Sequence, residues 1–240
     1  EQMMKAEQIY IKGSLPKSWL GVPFGDDTLK GIVVVQSYVD GFMFTEKDKQ
    51  LLMFVAKHIH NAIQRVKMRA ELEFLALHDP LTQLPNRLLF SDRVEQAITR
   101  VHRNKTSSLA ILFLDLDHFK QVNDTYGHYI GDQLLITIAK KISTCLRESD
   151  TLCRLGGDEF AILLENITSK ADVDKIANKI VTLAQEPIIV DNIHLKISTS
   201  IGITWFHQGS KSVNSLLVQA DEAMYKAKLN GRNQIAYYES

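Results

Sequence analysis

Two acidic clusters, one of them preceded by paired glycines, carry the chemistry this sequence can do. Arg154-Leu155-Gly156-Gly157-Asp158-Glu159-Phe160 sets two glycines directly before two carboxylates. Glycines free the backbone for a tight turn and present no Cβ, so a phosphate can approach the main chain closely. β-type segments flank the turn, Thr151 to Leu155 and Phe160 to Leu164, which predicts a hairpin with acid at its tip. Alone, such a tip reads equally well as a solvated turn, because Gly, Asp and Glu all suit exposed loops. The second cluster, Asp115-Leu116-Asp117, ends the apolar run Ser108 to Leu114. Strand ends are where active-site groups are usually displayed.

If the two strands are neighbours, Asp115 and Asp158 converge. Two carboxylates and a main-chain carbonyl are hard oxygen donors, and Mg²⁺ takes a few such oxygens before completing its shell with water and substrate phosphates. No His/Cys cluster competes for a softer metal. The bland alternative is that Asp115 and Asp117 cap a turn. Asn123 and Asp132 follow on segments flanking Gly127-His128. An amide and a carboxylate together match a guanine edge, the carboxylate accepting from the ring N–H and the exocyclic amine, whereas adenine has no ring donor there. Spacing alone favours helix capping for both residues. Arg147 and Asp150 stand three apart before the hairpin. By spacing alone they form a solvated pair worth little.

The elements that must position these groups follow from periodicity. The 240 residues, 45% of them hydrophobic, suffice for one large domain or a domain plus a fragment. Charge is balanced, 28 basic against 28 acidic, without a basic stripe, which argues against a nucleic-acid polymer as partner. Cys145 and Cys153 make neither a metal spacing nor a disulfide framework, as expected in a reducing cytoplasm. No apolar run reaches the ~18 residues of a membrane span. The chain opens at Glu1 without a leader, as expected of a piece of a longer polypeptide.

Trp19 to Phe24 and Gly31 to Gln36 read as strands joined by a turn at Gly25-Asp26-Asp27. Thr45 with Asp48 forms a capping pair for a helix running from about Asp48 to Leu77. Along it Leu52, Ala56, Ile59, Ile63, Val66, Ala70, Glu73 and Leu77 trace a coiled-coil seam, apolar at seven of eight positions. The competing reading is an amphipathic helix lying on its own domain. His78-Asp79-Pro80 ends the helix. Beyond it come a helix over 88–102, the buried strand, helical turns to about 146, the hairpin and a helix over 170–185. Strands near 188–190 and 194–204, a helix over 213–229 and a last strand near 234–238 complete the pattern. This mixture predicts an α/β (α+β) sandwich with a partly antiparallel sheet.

Taken together these pieces resemble the GGDEF family of diguanylate cyclases, over Asp79 to Tyr238. The matching residues are Asp79-Pro80-Leu81-Thr82-Gln83-Leu84-Pro85-Asn86-Arg87, Leu114 through Lys120, Asn123-Asp124, Gly127-His128 with Gly131-Asp132, Gly156 through Phe160, and Ala220-Asp221 through Gly231-Arg232-Asn233. The resemblance implies a nucleotidyl-cyclase-like central sheet flanked by helices. It implies Mg²⁺ (or Mn²⁺) held by Asp115, the Leu116 carbonyl and Asp158. Asp158 or Glu159 would take the proton of the attacking 3′-hydroxyl, and Lys120 would stabilise phosphate charge. Asn123 and Asp132 would read guanine, with Leu81 and Leu135 packing on the base. Backbone groups at His118, Phe119 and Gly157, together with Lys228 and Arg232, would hold the triphosphate of GTP. Arg147 and Asp150 would form an inhibitory site for the product, cyclic di-GMP. A homodimer is implied, since each domain brings one GTP. The segment before the helix resembles the C-terminal part of a GAF sensory domain. The expected division is 1–44 partial GAF strands, 45–78 helical linker and 79–240 catalytic domain. Two other classes compete: an inactive GGDEF receptor for GTP or cyclic di-GMP, and a dimerising adaptor. Neither would need Asp115, Lys120, Asp158 and Glu159.

Overall fold

The computed structural model describes residues 15–104, 107–207, 209 and 212–239. The expected GAF-like segment lies partly outside them. Contacts divide the chain into two units between Glu73 and Phe74.

In the first unit, β1 (Ser18–Gly25) and β2 (Lys30–Ser37) form an antiparallel hairpin. Asp26 closes its turn, accepting from the Thr28 hydroxyl (2.6 Å), the Thr28 N–H (2.7 Å) and the Leu29 N–H (3.0 Å). Helix α1 (Glu46–Leu77) follows. Its capping box forms as the sequence implies: the Thr45 N–H donates to Asp48 at 2.7 Å, and the Asp48 N–H donates to Thr45 Oγ1 at 3.3 Å. Leu52 and Ala56, at the head of the apolar seam, are buried with Val22 against the hairpin. That end of the helix lies on its own unit. Further along, Val66 is 70% exposed.

The second unit contains α2 (Arg87–Arg103), β3 (Leu109–Asp117), α3 (Phe119–Tyr126) and α4 (His128–Ser143). The hairpin β4 (Thr151–Gly156) and β5 (Glu159–Leu164) follows, then α5 (Lys170–Gln185). After β6 (Ile188–Val190) and β7 (Ile193–Leu195) come β8 (Ser198–Phe206), α6 (Val213–Leu229) and β9 (Ile235–Tyr237). Asn86, Ser169 and Ser212 cap the N-termini of α2, α5 and α6 through their side-chain oxygens.

The main sheet runs β4-β5-β3-β8-β9. β3 is antiparallel to both neighbours, while β9 lies parallel to β8. The fold is therefore α+β, a mixed central sheet with helices on both faces. β3 is apolar without alternation because both its faces are covered. Ala110, Leu112, Leu114 and Leu116 pack with α4 and α5, and Leu109, Ile111 and Phe113 pack with α2 and α6. Each such large side chain contributes about 1.5–3 kcal/mol of burial. α6 lies directly on β8 at Gly202, where a Cβ would overlap the Ala220 carbonyl and the Met224 nitrogen.

Two boundaries differ from the pattern read in sequence. The helical stretch after β3 breaks at Gly127, which takes φ +86°. The expected strand over 194–204 divides into β7, ending at Leu195, and β8, starting at Ser198; Asp191 and Asn192, at φ of +46° and +66°, fold β7 back on β6. Among the described residues, no helix is long and apolar enough to cross a membrane.

Candidate active site

The hairpin tip lies against the end of β3. Asp115 pairs across the strands with Glu159, and the Leu116 N–H donates to the Asp158 carbonyl at 3.3 Å. Asp115, the Leu116 main chain and Asp158 are thus brought together from the end of β3 and the β4–β5 turn. Gly156 and Gly157 hold φ of +150° and +52°, and a Cβ at either would meet nothing within 4 Å. Backbone conformation, rather than crowding, requires glycine here, and the main chain stays open to an approaching group.

Burial raises the Asp115 carboxyl above its ordinary 3.8, and the charges of Asp158 and Asp117 push the same way. Lys228 opposes them, with Nζ 2.7 Å from Asp115 Oδ2. Glu159 is raised as well, by burial first and then by Asp115, Asp221 and Asp158. Asp117 has a different task. Its carboxylate accepts from Ser198 Oγ (2.6 Å), Ser200 Oγ (2.8 Å) and the Asn233 N–H (3.2 Å). It braces the end of β3 against β8 and the loop after α6.

Beside the acids lies a cleft of about 210 Å³ lined by the 115–120 segment, Asp158, Lys228 and Arg232. His118 takes φ +63° and caps α3. The Phe119 and Lys120 N–H groups precede the first helical bond, from the Gln121 N–H to the His118 carbonyl at 2.9 Å, and such helix starts favour anions. Cations, helix N–H groups and carboxylates thus meet in one opening.

Asn123 and Asp132 flank the break at Gly127. Asn123 Oδ1 is buried without a hydrogen-bond partner, a situation that costs about 1–3 kcal/mol unless a ligand supplies the donor. Gly131 makes room for it, since a Cβ there would overlap that oxygen. Asp132, the next residue, is exposed. Leu135 is only 2% exposed and belongs to the core; Leu81 is half-buried against the same core. Leu81 therefore offers more surface to a base than Leu135.

Arg147 and Asp150 form a turn, not a simple ion pair. Asp150 Oδ2 accepts from the Arg147 N–H at 3.0 Å, and its Oδ1 accepts from the Glu165 N–H at 3.4 Å. The Arg147 side chain is exposed.

Sequence reasoning missed what holds the tip. Arg154 donates through Nε and Nη2 to the Gly157 carbonyl (3.0 and 2.8 Å) and through Nη1 to both oxygens of Asp79 (3.0 and 3.1 Å). The only signal was a charged residue inside an otherwise apolar strand. Asp221 was likewise unassigned, although it shares with Glu159 and Arg87 a small cavity between α2 and α6.

A divalent ion fits this donor set. The Asp115 carboxylate already holds one cation, the Lys228 ammonium. Among the described residues no three His, Cys, Asp or Glu side chains converge as a metal site. Two carboxylates would need the Leu116 carbonyl and substrate oxygens to complete the shell, which suits Mg²⁺.

Residues 76–234 match the family model described as "Diguanylate cyclase, GGDEF domain". The chain is similar to the bifunctional diguanylate cyclase/cyclic di-GMP phosphodiesterase MucR of Pseudomonas aeruginosa, at 45% identity over 75% of this chain and 26% of MucR. It is 43% identical to the diguanylate cyclase TpbB of the same organism, over 68% of this chain and 38% of TpbB. The chain thus spans well under half of these relatives. The cyclic di-GMP phosphodiesterase PdeR of Escherichia coli is also similar, at 34% identity over 81% of this chain and 31% of PdeR. Among solved structures, the GGDEF domain of TpbB matches with a TM-score of 0.64 at 41% identity, covering 66% of this chain and 99% of that one. The coiled coil and GGDEF domain of DgcB from Caulobacter crescentus, solved with c-di-GMP, gives a TM-score of 0.68 at 26% identity, covering 80% of this chain and all (100%) of that one.

Proposed function

Because the chain belongs to the GGDEF family of diguanylate cyclases, we propose that it condenses two GTP molecules into cyclic di-GMP and two pyrophosphates. What supports the reading is the pairing of Asp115 with Glu159, which sets Asp115, Leu116 and Asp158 beside a cleft also lined by Lys120, Lys228 and Arg232. Phosphoryl transfer needs positioning and charge neutralisation more than covalent chemistry. Carboxylates and cations share one cleft, with Lys228 directly against Asp115, and divide that labour.

In this reading Asp115, the Leu116 carbonyl and Asp158 hold a divalent ion, which when bound neutralises charge on the substrate phosphates. Lys120, Lys228 and Arg232 take the remaining phosphate charge, helped by main-chain N–H groups at His118, Phe119 and Gly157. The buried Asn123 oxygen finds its missing donor on guanine, and Asp132 accepts from the neighbouring N–H groups. Leu81 covers the base. Asp158 or Glu159 accepts the proton of the 3′-hydroxyl. Burial and neighbouring charge raise Glu159, which strengthens it as a base.

Each domain holds one GTP, so two copies must face each other, with each 3′-hydroxyl attacking the other's α-phosphate. The exposed part of the α1 seam would pair the copies, under control of the GAF-like segment. Arg147 and Asp150 would take product and hold the domains apart. The inactive-receptor reading is disfavoured by the retention of Asp115, Lys120, Asp158 and Glu159.

Incubation with GTP and Mg²⁺ tests the activity. Cyclic di-GMP and pyrophosphate should appear in a one-to-two ratio. Asp158→Asn should lose about a hundredfold or more in rate, the scale of losing one key electrostatic group. Product formation at the wild-type rate by folded Asp158→Asn would refute the assignment.

A further inference from the structure

Lys228 stands between two possible partners. Its ammonium lies 2.7 Å from Asp115 Oδ2, and the two side chains are 26% and 12% exposed. Asp158, Lys120 and Arg232 line the same cleft. Without a counter-charge, Asp115 would sit largely withdrawn from water beside Asp158 and Glu159, and an uncompensated buried charge is strongly unfavourable. Lys228 supplies that compensation within the chain. Its helix cannot retreat to release it, because α6 rests directly on β8 at Gly202. Only the flexible side chain can swing.

A divalent ion at Asp115 would meet the ammonium on the same carboxylate. Two cations so close repel strongly in a partly buried site. One has to leave, and the ammonium leaves at low cost only if another anion receives it. The nearest such anion would be a triphosphate in the cleft that Lys228 already lines.

We infer that Lys228 is an exchangeable counter-ion: in the nucleotide-free protein it occupies Asp115 and keeps divalent metal weakly bound, and it transfers to the triphosphate when nucleotide arrives. The inference rests on Asp115 being a metal ligand. Metal and nucleotide then depend on each other through one side chain, and the dependence is reciprocal. The protein then holds its metal tightly only when substrate is present.

The test lies in opposite signs. Lys228→Met keeps the apolar stem and removes the charge. Mn²⁺ binding to nucleotide-free protein is followed by electron paramagnetic resonance, and GTP binding in EDTA by calorimetry. Lys228→Met should bind Mn²⁺ about tenfold more tightly, within the span usual for coupled sites, and GTP about tenfold more weakly. A residue that only contacts phosphate would leave Mn²⁺ binding unchanged, and a structural residue would weaken both; either result overturns the inference. Should Lys228→Met fail to fold by circular dichroism, Lys228→Gln is held to the same signs. Asp115→Asn separates the two levels of the argument. If it binds Mn²⁺ as wild type does, the metal assignment itself fails; if it loses Mn²⁺ while Lys228→Met gains none, only the exchange fails.

Discussion

Arg154 joins Asp79 to the carbonyl of Gly157. One guanidinium holds both the loop that follows α1 and the turn that carries the acids. The pair is well withdrawn from water, with side chains 11% and 16% exposed. The same loop is tied to the end of α1, since the Asn86 N–H donates to the Leu77 carbonyl at 2.9 Å and Asn86 Nδ2 to the Ala76 carbonyl at 2.8 Å.

Removing one partner of a buried pair typically costs about 3–5 kcal/mol. Arg154→Ala should therefore lower the denaturant midpoint of this unit markedly and depress cyclase activity. Arg154→Ala with Asp79→Ala should cost less than the sum of the single changes. Strict additivity in that cycle would show that the contact carries no coupling.

Asp79 also sets an acid limit. Burial opposes its charge, yet hydrogen bonds from Thr82 and Arg154 outweigh it and hold the carboxyl below its ordinary 3.8. A carboxyl depressed on folding contributes stability above its unfolded value and loses it as pH falls through the folded one. Stability should thus decline below about pH 4. Asp79→Asn should flatten that slope in urea titrations taken from pH 5 down to pH 3, and an unchanged slope would remove Asp79 from the account.

Base choice should rest on Asp132. Asp132→Ser shortens and neutralises the acceptor, so GTP use should weaken and ATP should begin to compete. Buried hydrogen-bonding sites discriminate by about 10⁴-fold; Asp132 is exposed, and a smaller loss is expected. Competition assays in which GTP preference persists unaltered would exclude Asp132 as the reader.

Much of this architecture was legible before any coordinates. α5 and α6 run over the spans their periodicity implied, and Thr45 with Asp48 forms the expected box. Local signals sufficed there. The misreadings came where a distant contact decided. Asp115-Leu116-Asp117 looks like one acidic unit, but Ser198, Ser200 and Asn233 claim Asp117. Arg154 could not be paired with Asp79 from sequence, because nothing local to either names the other. The turn at Gly127 was read from sequence, as the point that Asn123 and Asp132 flank, but its positive φ was not, because a glycine within a helical pattern does not announce one.

Assembly should depend on the exposed stretch of α1. Leu52 and Ala56 are occupied by the hairpin, so the informative positions lie beyond them. Ile63→Lys with Val66→Lys would place charge where a two-fold seam needs apolar contact. Light scattering should show fewer dimers, and activity should fall in parallel. An unchanged dimer would remove α1 from the interface.

Feedback should depend on Arg147. A guanidinium beside an Asp-fixed turn can grip phosphate or the Hoogsteen edge of guanine bidentately. Cyclic di-GMP should inhibit noncompetitively with GTP, and Arg147→Ala should bring the inhibited rate up towards the uninhibited one. Calorimetry giving equal product affinity for wild type and Arg147→Ala would exclude this residue.

The contact of α6 with Gly202 has a bearing on how such a protein can be controlled. No side chain separates helix from strand there, and Asp117 binds the loop after α6 to the end of β3. The backbone distance from the cations to the carboxylates is therefore a fixed gauge within each catalytic unit. A signal arriving from outside cannot widen or narrow that gauge without breaking the core. In the proposed dimer, what remains adjustable is the spacing and angle between one unit and the next, so regulation should change how often two loaded sites meet rather than how tightly either holds GTP.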